Sequence, residues 1–221
     1  MEPKLNYKCL ILDHDDTVMD STASIHYPAF LSSLNELRPG TTISLDDYFR
    51  VNFDPGFLPY LTDVLSFTPE ELDRELEIWK GFVKERIPTV FPAVARIIRR
   101  QKEAGGLICV ISHSFEHNIR RDYKANGLPQ PDAVYGWEQS PDRRKPAPWP
   151  LEQVLARFGL RREDALVVDD LKPGYDMAQA VGVPFAAACW AYDVPEIRAF
   201  MESNCVLACT DPEKLAQALF D

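Results

Sequence analysis

Cys9-Leu10-Ile11-Leu12-Asp13-His14-Asp15-Asp16-Thr17 is a short apolar run that stops at a cluster of carboxylates. The run is too short for a helix, and no polar residue alternates within it. Both faces of the segment must therefore be buried, as in a central strand of a parallel sheet. Similar runs recur at Leu107–Ile111, Ala133–Tyr135, Ala165–Val168, Pro184–Trp190 and Cys205–Ala208. Helical patterns separate them, at Ala93–Glu103, Phe115–Asn126, Pro150–Phe158, Tyr175–Val181, Val194–Glu202 and Pro212–Phe220. Gly105–Gly106, Gly127, Gly159 and Gly182 fall where those helices should stop. Strand and helix in alternation predict a doubly wound α/β fold, a Rossmann-like parallel sheet with helices on both sides.

One segment breaks the alternation. From 21 to 89 no buried strand is evident, and amphipathic stretches predict helices at Ser44–Val51 and Thr68–Arg86. Thr68-Pro69-Glu70-Glu71 is a helix start, with Thr as N-cap, Pro at the first position and acids in the first turn. A connection of about 70 residues is too long for a loop and reads as an inserted helical subdomain. The expected division is therefore 1–20 with 90–221 as the α/β core, and 21–89 as the insertion.

Composition sets the class. The chain has 221 residues, 46% hydrophobic and 26% charged, as in ordinary globular proteins. A formal charge of −10 argues against nucleic-acid binding, which rewards clustered Lys and Arg. The group Arg96, Arg99, Arg100 and Lys102 reads as the solvated face of one helix. The cysteines number five, without a Cys-x-x-Cys pair. Cys9, Cys109 and Cys189 lie in apolar runs, and Cys205 and Cys209 lack the partners of a zinc site. Met1–Lys8 is polar, and no stretch approaches membrane-spanning length. A soluble, cytoplasmic protein is expected, without membrane contact.

Ligands of doubly wound folds bind beyond the carboxyl ends of the strands. There the chain places Asp13, Asp15 and Asp16 after the first run, Ser112-His113-Ser114 after the second and Asp169-Asp170 after the fourth. Lys145-Pro146 lies in a loop before that fourth strand. Carboxylates converging from separate strands repel unless a cation neutralises them, and hard oxygen donors of this kind suit Mg²⁺.

Asp13-His14-Asp15-Asp16-Thr17 resembles the signature of the haloacid dehalogenase superfamily, and Ser112, Lys145-Pro146 and Asp169-Asp170 are similar to its other three motifs in order. The resemblance implies that Asp13 is the nucleophile and Asp15 the general acid and base. It implies that Ser112, the His113 backbone N–H and Lys145 bind the phosphoryl group. Mg²⁺ would be held by the Asp13 and Asp170 carboxylates and the Asp15 carbonyl. The implied activity is a Mg²⁺-dependent phosphatase acting on a small phosphorylated metabolite, as a monomer or homodimer. A phosphomutase would share the four motifs, and a non-catalytic phospho-ligand-binding regulator would need none of them. A dehalogenase would lack Asp15.

Two positions depart from the usual pattern. Asp16 stands where Gly is common. The acid usual four residues past the metal ligand is absent, the position being Gly174, which leaves the roles of Asp169 and Asp176 open. The helical insertion is similar to the small cap of phosphoglycolate-phosphatase-like members, beginning at Met19-Asp20-Ser21 and His26. Candidate selectors there are His26, Tyr27, Arg50 and Asn52. The aromatics Tyr48, Phe49, Phe53, Phe57 and Tyr60 either line a pocket or form the insertion's core, and His14 either faces the insertion or packs.

Overall fold

In the computed structural model, which describes residues 5–220, the chain runs in order through β1 (Cys9–Leu12), β2 (Met19–Asp20), α1 (Tyr27–Leu37), α2 (Leu45–Phe53), the single turn α3 (Phe57–Pro59) and α4 (Pro69–Glu85). It continues through β3 (Thr89–Val90), α5 (Pro92–Glu103), β4 (Leu107–Ile111), α6 (Glu116–Ala125), β5 (Ala133–Tyr135) and α7 (Trp149–Phe158). The last elements are β6 (Ala165–Asp169), α8 (Lys172–Val181), β7 (Phe185–Ala188), α9 (Pro195–Asn204), β8 (Leu207–Cys209) and α10 (Pro212–Phe220). The polar N-terminal stretch is thus seen only from Leu5. Two units emerge, Met1–Met19 with Thr89–Asp221, and Asp20–Pro88.

The first unit holds a six-stranded parallel sheet in the order β5-β4-β1-β6-β7-β8. β1 lies between β4 and β6, with Leu12 opposite Val110 on one side and Val168 on the other. All four β1 residues are buried, as a strand covered on both faces requires. Leu10 and Leu12 pack with Ile97 and Ile98 of α5, Tyr123 of α6 and Leu215 of α10. Cys9 and Ile11, at alternate positions, face the opposite side. Truncating Leu10 to Ala would cost about 2–5 kcal/mol, because a site walled by two strands and a helix layer relaxes little. The chain leaves β1 toward β4 and β5 and later returns to β6, so β1 sits at the topological switch point where such sheets bind ligands.

The helix stops follow the glycines. Gly105, Gly127, Gly159 and Gly182 all adopt positive φ just past α5, α6, α7 and α8. Several boundaries shift. α8 starts at Lys172 rather than Tyr175, since Pro173 fits a first turn where its missing N–H is not needed. β7 shrinks to Phe185–Ala188. β8 begins at Leu207, because the Cys205 N–H still bonds Met201 O to finish α9. The five cysteines are free. On the exposed side of α5, Arg96 pairs with Glu213 and Arg100 lies over the Phe220 ring. No helix among the described residues is long and apolar enough to cross a membrane.

The second unit is helical. Thr68 caps α4 in a reciprocal capping box with Glu71, as its sequence predicts. α1, which the sequence reading leaves out, follows a wide turn at Thr22–His26 and carries Pro28 in its first turn. Phe30 and Leu34 of α1 bury against Tyr48, Leu61 and Phe67. The Tyr48 ring lies 5.3 Å from Phe30 and 6.0 Å from Phe57, so Tyr48, Phe57 and Tyr60 serve as core. Arg38 stacks over Phe67 and grips both Glu71 oxygens.

Candidate active site

The Asp13 N–H donates to Val168 O at 2.9 Å, carrying the β1–β6 ladder one residue past the strand. Asp13 is thereby fixed on rigid backbone at the carboxyl end of the central strand. The chain then doubles back: Val18 and Met19 N–H both donate to His14 O, and the Asp16 N–H donates to Met19 O. Asp16 sits in the left-handed region at φ 58°. Glycine is the usual occupant of such a position, and Asp is among the few other residues that tolerate it.

Three further segments meet the stretch from Asp13 to Asp15. Asp169, the last residue of β6, and Asp170 just past it each bring a carboxylate oxygen, with one from Asp13, within 4.8 Å of one another. Lys145, from the loop before α7, places Nζ 2.8 Å from Asp13 Oδ1 and 2.7 Å from Asp169 Oδ2, with its side chain only 5% exposed. Beyond β4, Ser112 N–H donates to Tyr135 O, while its hydroxyl accepts from the Ser114 N–H at 3.1 Å. The Ser112 proton is left to donate. The His113 ring meets Lys145 O at 2.9 Å and stands edge-on to Trp137. Asp15, half-buried, accepts from Ser114 Oγ at 2.7 Å.

The electrostatics are unbalanced. Carboxylates this close repel by roughly 3–4 kcal/mol per pair at an effective dielectric of about 20. Lys145 reaches only two of them. Burial alone would lower its ammonium, but Asp13 and Asp169 hold it above its usual value. Burial pushes the Asp169 carboxyl up to about 7 against the pull of Lys145, and Asp13 adds to the rise. Burial, then the charges of Asp169 and Asp13, drive Asp170 well above the carboxylate range. Asp170 Oδ1 accepts from Thr17 at 3.3 Å, whereas the buried Oδ2 has no partner. A hard cation supplies what this donor set lacks, so the three carboxylates are fit to hold a divalent metal ion.

The cluster also accounts for the missing acid at position 174. A Cβ built on Gly174 would fall 2.1 Å from Asp169 Oδ2. The Asp169 carboxylate fills that volume, anchored by the Leu171 N–H at 3.0 Å and by Lys145. Asp176 instead pairs with Lys172 along α8.

Other candidates are engaged elsewhere. His14 pairs with Asp122 at 3.2 Å in the core and stacks on Tyr123. Within the helical unit, His26 Nδ1 accepts from Trp79 Nε1, Tyr27 O–H donates to Ile43 O, Asn52 to Tyr48 O and Arg50 to Asp47. Two residues near the cluster carry no role in the sequence reading. Ser114 was signalled by its place beside Ser112. Tyr192, whose hydroxyl donates to Asp170 O at 3.0 Å, had no signal, because its loop follows a different strand.

The family model of haloacid dehalogenase-like hydrolases matches residues 10–188. A phosphoglycolate phosphatase of Mesorhizobium japonicum is 25% identical over 210 residues, covering 88% of this chain and 88% of that protein. A haloacid dehalogenase-like protein of Bacteroides fragilis shares the fold with a TM-score of 0.77 at 19% identity, covering 94% of this chain and 99% of that one. A hydrolase of the same family from Deinococcus radiodurans, solved with bound phosphate and sodium, has a TM-score of 0.71 at 20% identity over 97% and 96%. With a strand-end Asp13 inside its carboxylate cluster and a family match over most of its length, the chain belongs to the haloacid dehalogenase-like hydrolases, as a phosphatase-like member.

Proposed function

We propose that the protein is a Mg²⁺-dependent phosphatase that hydrolyses the monoester of a small phosphorylated metabolite through an aspartyl-phosphate on Asp13. The observation that carries the reading is the Asp13 carboxylate, buried at the end of the central strand. Lys145 lies at 2.8 Å from it, and an unpartnered Asp170 oxygen belongs to the same cluster. Asp13 attacks phosphorus as the bond to the leaving oxygen breaks, and Asp15 gives that oxygen its proton. Asp15 then takes a proton from water, whose oxygen attacks phosphorus and expels the Asp13 carboxylate with inorganic phosphate. Ser112 Oγ, the His113 backbone N–H and Lys145 Nζ hold the phosphoryl oxygens. Mg²⁺, held by Asp13, Asp170 and the Asp15 carbonyl, would supply charge neutralisation between the anionic nucleophile and the anionic ester. In this reading the helical unit is the part of the chain that selects the substrate.

Phosphate release from a panel of phosphorylated metabolites tests the reading, with phosphoglycolate, the substrate of the Mesorhizobium relative, at its head. Release should require Mg²⁺, stop with chelator and vanish in Asp13→Asn. Binding of the esters without turnover would overturn it.

A further inference from the structure

The loops beyond β6 and β7 emerge side by side, because those strands are neighbours in the sheet. The loop beyond β7 is braced at both ends. The Cys189 N–H donates to Cys209 O at 2.8 Å, and Asp193 pairs with Arg198 of α9 at 2.7 Å. Between these ties stands Tyr192, whose hydroxyl donates to Asp170 O at 3.0 Å. The rest of the Asp170 turn is held as well. Its Oδ1 accepts from Thr17 at 3.3 Å, and the next N–H, that of Leu171, donates to Asp169 Oδ1 at 3.0 Å. Asp170 Oδ2 is left buried and without a partner, on a carboxylate that shares its cluster with Asp13 and Asp169.

We infer that Tyr192 is a positioning residue for the metal ion: by gripping the Asp170 carbonyl it fixes the backbone from which the Asp170 carboxylate is aimed into the cluster. This rests on the Mg²⁺-dependent reading of the site and adds to it a residue that acts through Asp170. A peptide plane held at its oxygen cannot turn, so the Cα–Cβ bond beside it keeps one direction. The ion sets how much that matters. Mg²⁺ demands near-ideal octahedral geometry, and a small swing of one ligand weakens it, whereas Ca²⁺ accepts flexible arrangements of oxygens. Losing a partner that orients a metal ligand ordinarily costs about 10–100-fold in metal affinity.

Calorimetric titration of the whole protein with Mg²⁺ and with Ca²⁺ provides the test. Tyr192→Phe removes one hydroxyl and keeps the ring. Its Mg²⁺ dissociation constant should rise about tenfold or more, and its Ca²⁺ constant by no more than about threefold. The metal-free variant should melt within about 4 °C of wild type, as the loss of one hydrogen bond allows. Arg198→Gln loosens the same loop but keeps the hydroxyl, and should leave the ratio of the two constants at its wild-type value. An unchanged Mg²⁺ constant in Tyr192→Phe would overturn the inference. So would an equal loss for both ions, or the same change of ratio in Arg198→Gln, since either would show that Tyr192 only braces the loop. Wild type that binds Mg²⁺ but releases phosphate from no ester overturns the phosphatase reading alone, and the two constants still decide this inference. Wild type that binds no Mg²⁺ overturns both.

Discussion

Gly174→Ala adds a single methyl group, and the structure locates where it must go. The new Cβ would lie 2.1 Å from Asp169 Oδ2 and 2.2 Å from Asp169 Cγ. To reach ordinary contact the carboxylate has to retreat by more than an ångström. Oδ2 is the oxygen bound to Lys145, and Oδ1 holds the Leu171 N–H, so neither can yield without losing a buried partner. Overpacking costs about 1–3 kcal/mol and a charge-assisted hydrogen bond about 1.5–3 kcal/mol. A loss of about 3 kcal/mol corresponds, in a protein of this size, to a melting temperature lower by roughly 6–12 °C. The same substitution in an Asp169→Gly background meets no carboxylate. There, Ala replacing Gly within α8 should leave the melting temperature unchanged or raise it, since Ala is favoured over Gly in a helix by about 1 kcal/mol. Thermal melts of the four proteins followed by circular dichroism, in chelator at pH 8, complete the cycle. An equal effect of Gly174→Ala in both backgrounds would refute the reasoning.

The remaining predictions concern charge. Mg²⁺ at a hundredfold excess over its dissociation constant should stabilise the wild type by about 2.7 kcal/mol, and Asp170→Asn should lose most of that gain; an undiminished thermal shift in the variant would place the ion elsewhere. Lys145→Ala leaves the buried Asp13 and Asp169 carboxylates without their cation and should destabilise the metal-free protein by about 3–5 kcal/mol at pH 8. Urea melts that match the wild type would contradict the pairing. In the helical unit, burial pushes the Glu75 carboxyl up to about 7 from an ordinary 4.5. The folded state then holds its proton to higher pH than the unfolded chain. The resulting stability is complete below about pH 4.5 and drains as pH rises through about 7, by up to about 3 kcal/mol. Glu75→Gln should flatten that decline and melt above the wild type at pH 8, and parallel pH profiles of the two proteins would count against it.

Much of this molecule is legible in one dimension. Runs such as Cys9–Leu12 and Ala165–Val168 offer no polar face, and a strand that must bury both sides has few homes besides the middle of a parallel sheet. The same local logic locates the Thr68 capping box and the glycine stops, because each depends on residues a turn or less apart. It also places Asp13, Ser112 and Asp170 at strand ends, where the chain direction alone puts them on one edge of the sheet.

Contacts between distant segments are different. Nothing near Lys145 in the chain tells that it also holds Asp169, and nothing near Asp15 points to Ser114, 99 residues away. The sequence reading also left open whether the missing acid at Gly174 weakens metal binding or is compensated by Asp169. Only the tertiary structure accounts for the glycine, because whether the carboxylate of residue 169 and a side chain at 174 can coexist depends on a shared volume. Sequence by itself determined which residues carry charge and at which strand ends they emerge. Which of them touch is decided by packing, since distance in space across a parallel sheet is independent of separation along the chain.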